Sequence, residues 1–232
     1  MADVVAGWAA LNVRKTVARI EGPWDAVLRW IDAQLNRLWQ ARGAFPGLGS
    51  ALSAFGYEWG FQHGSLLAYE LELERERAGG GNPWALVNVV MEDPARLAGP
   101  LAKLLSPSLR NGWKRLTEER RALLELLSRC AISEDQALRF YDTTERSSAG
   151  IDAIEAQLLA NPYLLFEKDR RSVRPIAFGA IDRGLFPDEA VRQEFPVPEL
   201  SRIEDPADPR RVRALVADLL EEASAQGHSA AA

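Results

Sequence analysis

Few residues in this chain have the type and spacing that enzyme chemistry requires. A phosphate-binding loop needs a lysine directly after a glycine and before serine or threonine. No lysine follows a glycine, and the lysines are Lys15, Lys103, Lys114 and Lys168. Cys130 and the two histidines are too few and too scattered for a zinc site of the common spacings. Only these two histidines could act as the general base that activates a catalytic nucleophile. We therefore expect no cofactor, no metal and no ATP hydrolysis, and predict that this chain is not an enzyme.

Glycines at a chain reversal suggest recognition of an anion by the backbone. In Pro46-Gly47-Leu48-Gly49, two glycines flank a leucine that would anchor the turn in the core. Backbone N–H groups at such a hairpin, followed by a helix N-terminus, can point at a phosphate. Glycine serves there by adopting positive φ and by letting a ligand approach, so we expect positive φ at Gly47 and Gly49. A plain helix–helix connection would use the same glycines and is the alternative.

A second hairpin of similar kind is Cys130-Ala131-Ile132-Ser133, with alanine where a glycine would be expected. Ser133 is a good helix N-cap residue, and Gln136 stands at the position that completes a capping box. The segment predicts a helix beginning near Ser133, whose backbone N–H is a further candidate phosphate donor.

Basic residues concentrate in the middle of the chain. Residues 103–129 hold seven bases and three acids, although the net charge of the whole chain is −5. The placement of charge matters more than its average, and phosphates bind where cations cluster. The candidate phosphate-binding side chains are Arg110, Lys114, Arg115, Arg129, Arg139, Arg171 and Arg174. Trp113, flanked by bases, is the candidate for stacking on a nucleic-acid base.

Composition places the chain among ordinary globular proteins. It has 232 residues, of which 47% are apolar and 26% charged, so it can bury a substantial core. The single cysteine excludes an internal disulfide and favours the reducing cytoplasm. No apolar run is long enough for a membrane span, so we expect no membrane partner.

The hydrophobic pattern is helical nearly throughout, and strand signals are almost absent, which predicts an all-α fold. We expect three regions: a helical module over 1–100 with the first hairpin, a second module over 101–185, and a proline-rich connection with a final helix over 186–232. The predicted helices are Trp24–Ala41, Ala51–Phe55, Leu66–Arg77, Leu109–Arg129, Asp135–Tyr141, Ile151–Leu159 and Arg210–Ala225. Five prolines between Phe186 and Pro209 predict an irregular connection there.

The segment Leu126–Phe166 reads as a helix, a hairpin and further helix, ended by Asn161-Pro162-Tyr163. This order resembles the helix-hairpin-helix region that precedes the motor of RecD-like DNA helicases (superfamily 1, exonuclease V alpha-subunit-like). Asp208–Ala214 and Gly227-His228-Ser229 are similar to the family's closing helix and Gly-His-Thr signature. Arg174–Asp182 aligns with a third hairpin, in which Pro175 and Ala177 replace glycines.

This resemblance implies tandem helix-hairpin-helix modules that bind DNA weakly through its backbone, without sequence specificity and without the motor. A downstream helicase core and a role in DNA repair are the implied partner and context. Degenerate hairpins and an acidic balance favour a different interpretation, in which the chain is a protein–protein interaction module that docks on its ATPase or another partner and has lost DNA binding.

Overall fold

The structure is a computed structural model that describes residues 45–78, 82–97, 101–194, 203 and 205–226. All regular structure within these ranges is helical, which confirms the all-α prediction. The predicted helix Trp24–Ala41 and the Gly227-His228-Ser229 signature lie outside the described residues. No helix in the described ranges is long and apolar enough to cross a membrane.

The helices are numbered in chain order over the described residues. Short 3-10 turns occur at Tyr57–Trp59 and Pro94–Arg96. The α-helices are α1 Leu48–Gly56, α2 Gly64–Arg77, α3 Pro83–Glu92, α4 Leu101–Leu104, α5 Pro107–Lys114, α6 Glu118–Arg129, α7 Glu134–Tyr141, α8 Thr143–Ser148, α9 Glu155–Ala160, α10 Leu164–Asp169, α11 Phe178–Leu185, α12 Glu189–Glu194 and α13 Pro209–Ala225.

The predicted helix over 109–129 is wrong as a single element, because the chain breaks between α5 and α6. Arg115 ends α5, and its backbone N–H donates to Gly112 O at 3.1 Å. Thr117 then adopts an extended conformation, and its hydroxyl accepts a hydrogen bond from Arg120 N at 3.3 Å. A side-chain cap of this kind starts a new helix and lets it leave in a new direction.

Two further predictions need correction. The proline-rich segment that was expected to be irregular contains α12. The predicted third hairpin, Arg174–Asp182, becomes helical from Phe178 onward, as the start of α11.

Helix α1 lies at the centre of the described core, because all nine of its residues are buried. Its small side chains, Gly49, Ser50, Ala51, Ser53 and Ala54, let α2, α6 and α7 pack closely around it. The two hydroxyls are satisfied across these contacts: Ser50 Oγ donates to Ile132 O at 2.8 Å, and Ser53 Oγ donates to Glu134 Oε1 at 2.8 Å. A helix buried on every side therefore depends on small residues and on fully paired polar groups.

The glycines of the first hairpin serve close packing. Gly47 has a φ of −97°, and in the described residues positive φ occurs only at Gly60 and Gly150, so the expectation of positive φ at Gly47 and Gly49 is wrong. A Cβ on Gly47 would lie 2.3 Å from Cys130 O. One on Gly49 would lie 2.7 Å from the Ser65 Cα. Backbone therefore approaches backbone at both positions, and any side chain would separate the helices.

The C-terminal helix α13 is attached to the rest of the fold mainly by ion pairs. Arg211 binds Asp182 through two nitrogens, at 2.7 and 2.9 Å, and the Tyr163 hydroxyl donates to the same carboxylate at 2.6 Å. Arg213 pairs with Glu167 at 2.8 Å. Ala214 is the one fully buried residue of this helix. The predicted helix is confirmed, and its attachment is largely polar.

Replacing Gly49 by alanine tests the close approach of α1 and α2. The added methyl would overlap the backbone of Ser65, so we expect Gly49→Ala to lower the free energy of unfolding by about 1–3 kcal/mol. Gly179→Ala is the matched control, because Gly179 is also helical but has only the flexible Arg183 guanidinium within 4 Å. Urea denaturation measures both. Equal stability of the two variants would contradict the packing role of Gly49.

Candidate nucleic-acid interface

The three predicted hairpin segments meet one another around residues 127–132. Gly47 N donates to Ser128 O at 2.9 Å, and Ala131 N donates to Ala180 O at 3.1 Å. A Cβ on Gly184 would lie 2.4 Å from Arg129 O. These segments therefore pack backbone to backbone inside the fold.

This arrangement corrects the prediction that hairpin amides are free to bind phosphate. Gly47 and Gly49 are buried, and the Gly47 N–H is already hydrogen-bonded. The Ser133 N–H donates to Gln136 Oε1 at 2.8 Å, and Ser133 Oγ accepts from Gln136 N at 3.3 Å. The predicted capping box is confirmed, and it occupies the amide that a phosphate would need.

Of the predicted arginines, Arg129 lies in the interior, and Arg139 is half-buried and paired with a buried carboxylate. Arg129 is 5% exposed and lies over the Phe45 ring at 5.2 Å, and burial lowers its pKa. Burial also raises the pKa of the neighbouring Cys130 thiol to about 12. Arg139 forms an ion pair at 2.9 Å with Asp169, which is 2% exposed. Both guanidinium groups are therefore engaged within the fold and less accessible to a phosphate than a fully exposed side chain would be.

The other five predicted residues lie at or near the surface. Lys114, Arg115, Arg171 and Arg174 are exposed, and Arg110 is half-buried. Within the described ranges, the side chains of these five residues form no ion pair. Arg110, Lys114 and Arg115 belong to α5 and its C-terminal cap, whereas Arg171 and Arg174 lie between α10 and α11.

Helix α5 is held in place by a serine cap and two buried anchors. Ser106 Oγ accepts from Leu109 N at 3.2 Å, and Pro107 occupies the first turn, where its missing N–H is harmless. Leu109 and Trp113 point into the core one helical turn apart. Arg110 and Lys114 are also four residues apart, each one residue after an anchor, so they lie together on the face of α5 next to the buried one.

Trp113 belongs to the core, so the prediction that it stacks on a base is wrong. It is 2% exposed, its ring is parallel to that of Trp84 with centroids 6.1 Å apart, and it meets Phe55 edge-on at 5.0 Å. Its indole N–H donates to Asn88 Oδ1 at 3.1 Å. The tryptophan anchors α5 in the core, and its ring faces are not accessible to a nucleic-acid base.

A cleft of about 600 Å³ lies beside α5. It is formed by the end of α1 and the following 3-10 turn, by α5, by the start of α6 and by the junction of α7 and α8. Trp59 is half-buried in its wall, and its ring packs against Phe55 at 5.1 Å and against the backbone of Gly112. The charged and polar lining residues are Glu58, Ser108, Asn111, Arg115, Thr117, Arg120, Asp142 and Thr143.

Some of the charged side chains that line this cleft have partners in the fold, and Arg115 does not form an ion pair within the described residues. Arg120 lies over the Tyr141 ring at 4.3 Å and pairs with Glu155 at 3.6 Å, while burial raises the pKa of Tyr141. The Asp142 carboxylate accepts the first backbone N–H groups of α8 at 2.8 and 2.9 Å. Arg115 is exposed and is the basic lining residue that lacks an ion-pair partner among the described residues. The lining also holds two carboxylates, Glu58 and Asp142, so Arg115 is the side chain there best placed to pair with an anion.

Sequence reasoning missed Trp59 and the cleft, because the lining comes from separate segments and no local pattern marks it. No cluster of three histidine, cysteine, aspartate or glutamate side chains suited to a metal is present in the described part of the chain. Comparisons with protein-family models, with curated proteins and with solved structures found no match. Functional inference therefore depends on the geometry of this surface.

Alanine substitution distinguishes an arginine that pairs with a buried carboxylate from an exposed, unpaired one. Arg139→Ala leaves the buried Asp169 carboxylate without its cation, so we expect the free energy of unfolding to fall by about 2 kcal/mol or more. Arg115→Ala removes an exposed, unpaired side chain and should change stability by no more than about 0.5 kcal/mol. Chemical denaturation of both variants measures this difference. A neutral Arg139→Ala variant would show that the ion pair does not stabilise the fold.

Proposed function

We propose that this chain binds DNA through phosphate contacts made by Arg110, Lys114 and Arg115, without sequence specificity. One observation carries the proposal: three cations that lack ion-pair partners in the described structure cluster at α5, and one of them lines a polar cleft. Contacts to phosphate position a strand but carry no base information. Arg171 and Arg174 are available for further phosphate contact.

The proposed binding is weak. Non-specific DNA binders commonly have Kd values of about 10⁻⁴–10⁻⁶ M near physiological salt, and a net charge of −5 opposes tight binding, so we expect about 10 µM or weaker. Such affinity suits a region that acts beside a motor, and the resemblance to RecD-like helicases supports that setting. We propose that the region holds a strand near a helicase core in a longer protein.

Simultaneous replacement of the three α5 cations tests this proposal. Each phosphate contact contributes a slope of roughly 0.7–0.9 to the fall of log affinity with log salt. We expect Arg110→Ala, Lys114→Ala and Arg115→Ala together to weaken binding and to flatten this slope by about 2, with little loss of melting temperature. Fluorescence anisotropy with labelled DNA of two unrelated sequences measures affinity and the absence of sequence preference.

A control with the same charge change is Arg77→Ala, Arg96→Ala and Arg183→Ala together, in which Arg77 and Arg96 are ion-paired with Glu74 and Asp93. It removes the same charge from exposed positions on α2, on the second 3-10 turn and on α11. An equal loss of affinity in the control would mean that net charge alone governs binding. If the parent chain binds neither single- nor double-stranded DNA at low salt, the proposal fails.

A second candidate function is protein docking, favoured by the outer face of α13. Val212, Val216, Leu219 and Leu220 are 43–58% exposed and lie on one face of the helix, with Arg213 and its ion pair to Glu167 along one edge of that face. Apolar residues at this spacing form a stripe that another amphipathic helix can cover. Glu222 and, further round the helix, Asp218 lie on the opposite edge, so the complementary partner is a helix with an apolar stripe and basic residues facing that edge.

A synthetic amphipathic helix with a leucine stripe and lysine flanks is a suitable probe of this docking face. We expect it to bind the parent chain and to lose binding when Val216→Ser and Leu219→Ser are combined. Because both side chains are about half exposed, the double variant should retain its melting temperature. Isothermal titration calorimetry measures the affinity. Binding that survives the double substitution, or no binding by the parent chain, would exclude this face.

A further inference from the structure

The cleft beside α5 brings two planar groups together with a free cation. The Trp59 ring is fixed by Phe55 and by the α5 backbone, and the Arg120 guanidinium lies over the Tyr141 ring, 4.3 Å from its centroid. Both planes line the same cleft as Arg115. Aromatic rings and guanidinium planes are the surfaces on which unpaired bases stack in proteins that bind single strands.

We propose that this cleft takes one unpaired nucleotide of the strand that α5 binds, so that the chain prefers single-stranded over duplex DNA. The base stacks on the planar groups, and its phosphate lies at Arg115. The proposal extends the DNA-binding function above and depends on it.

The dimensions and the lining fit this ligand. A volume of about 600 Å³ lies within the roughly 300–1,000 Å³ typical of small-molecule sites. Asn111 and Thr117 are exposed in the lining and offer hydrogen bonds to a base edge, and Glu58 is a further acceptor. In a duplex the bases stay paired and stacked, so entry would require a nucleotide to be flipped out, whereas a single strand presents it without that cost.

A substitution that fills the cleft without changing the charge of the chain tests the preference for single-stranded over duplex DNA. Thr143 lines the cleft, whereas Thr144 is also exposed on the same helix and is not part of the lining. For the parent chain we expect oligothymidylate of about 15 nucleotides to bind about tenfold more tightly than duplex of the same length, since one stacked base supplies roughly that factor. Thr143→Phe should abolish the preference while duplex affinity stays constant, and Thr144→Phe should retain it.

A photocrosslink provides a measurement that does not depend on how the variants fold. Oligothymidylate carrying 5-iododeoxyuridine should crosslink to the 57–59 peptide, and mass spectrometry identifies that peptide. Equal affinity for single strand and duplex, together with crosslinks only elsewhere, overturns the cleft proposal and leaves DNA binding by α5 intact. Absence of all binding instead refutes the proposed function itself.

Discussion

The close approach of backbones around α1 is the constraint on which the described fold depends. Gly47, Gly49 and Gly64 each stand where a Cβ would come within 2.7 Å of a backbone atom of another segment. Small residues let α2, α6 and α7 surround one helix completely, and the serine hydroxyls of α1 are paired across those contacts. Burial on every side would otherwise leave voids or unsatisfied groups, both of which lower stability.

This constraint determines where a ligand can bind. The hairpin amides that could face a phosphate are hydrogen-bonded within the fold: Gly47 N–H donates to Ser128 O, Ala131 N–H to Ala180 O and Ser133 N–H to Gln136 Oε1. Helix α5 buries one face through Leu109 and Trp113 and exposes the other. Basic side chains on the exposed face can therefore contact a phosphate. The cleft forms at the edge of the same packing, where the end of α1 meets α5. Fold and proposed function are thus linked through the position of α5.

Sequence patterns predicted the helical class, the capping box at Ser133 and the final helix because these depend on local spacing. They did not predict the break at Thr117, since the apolar pattern continues through it. Arg115 and Arg139 cannot be distinguished by residue type: the partner of Arg139 is Asp169, 30 residues away, and only tertiary packing brings the two together. Trp59 was missed for the same reason.

Hydrogen exchange with and without oligothymidylate tests the central claim that α5 and its cleft, and not the hairpins, form the interface. Amides of α1 should exchange only through global unfolding and should therefore be slow in both states. We predict that the oligonucleotide slows exchange in Pro107–Lys114 and in Tyr57–Trp59. Slowed exchange confined to residues 46–49 and 130–133, with α5 unchanged, would contradict the account.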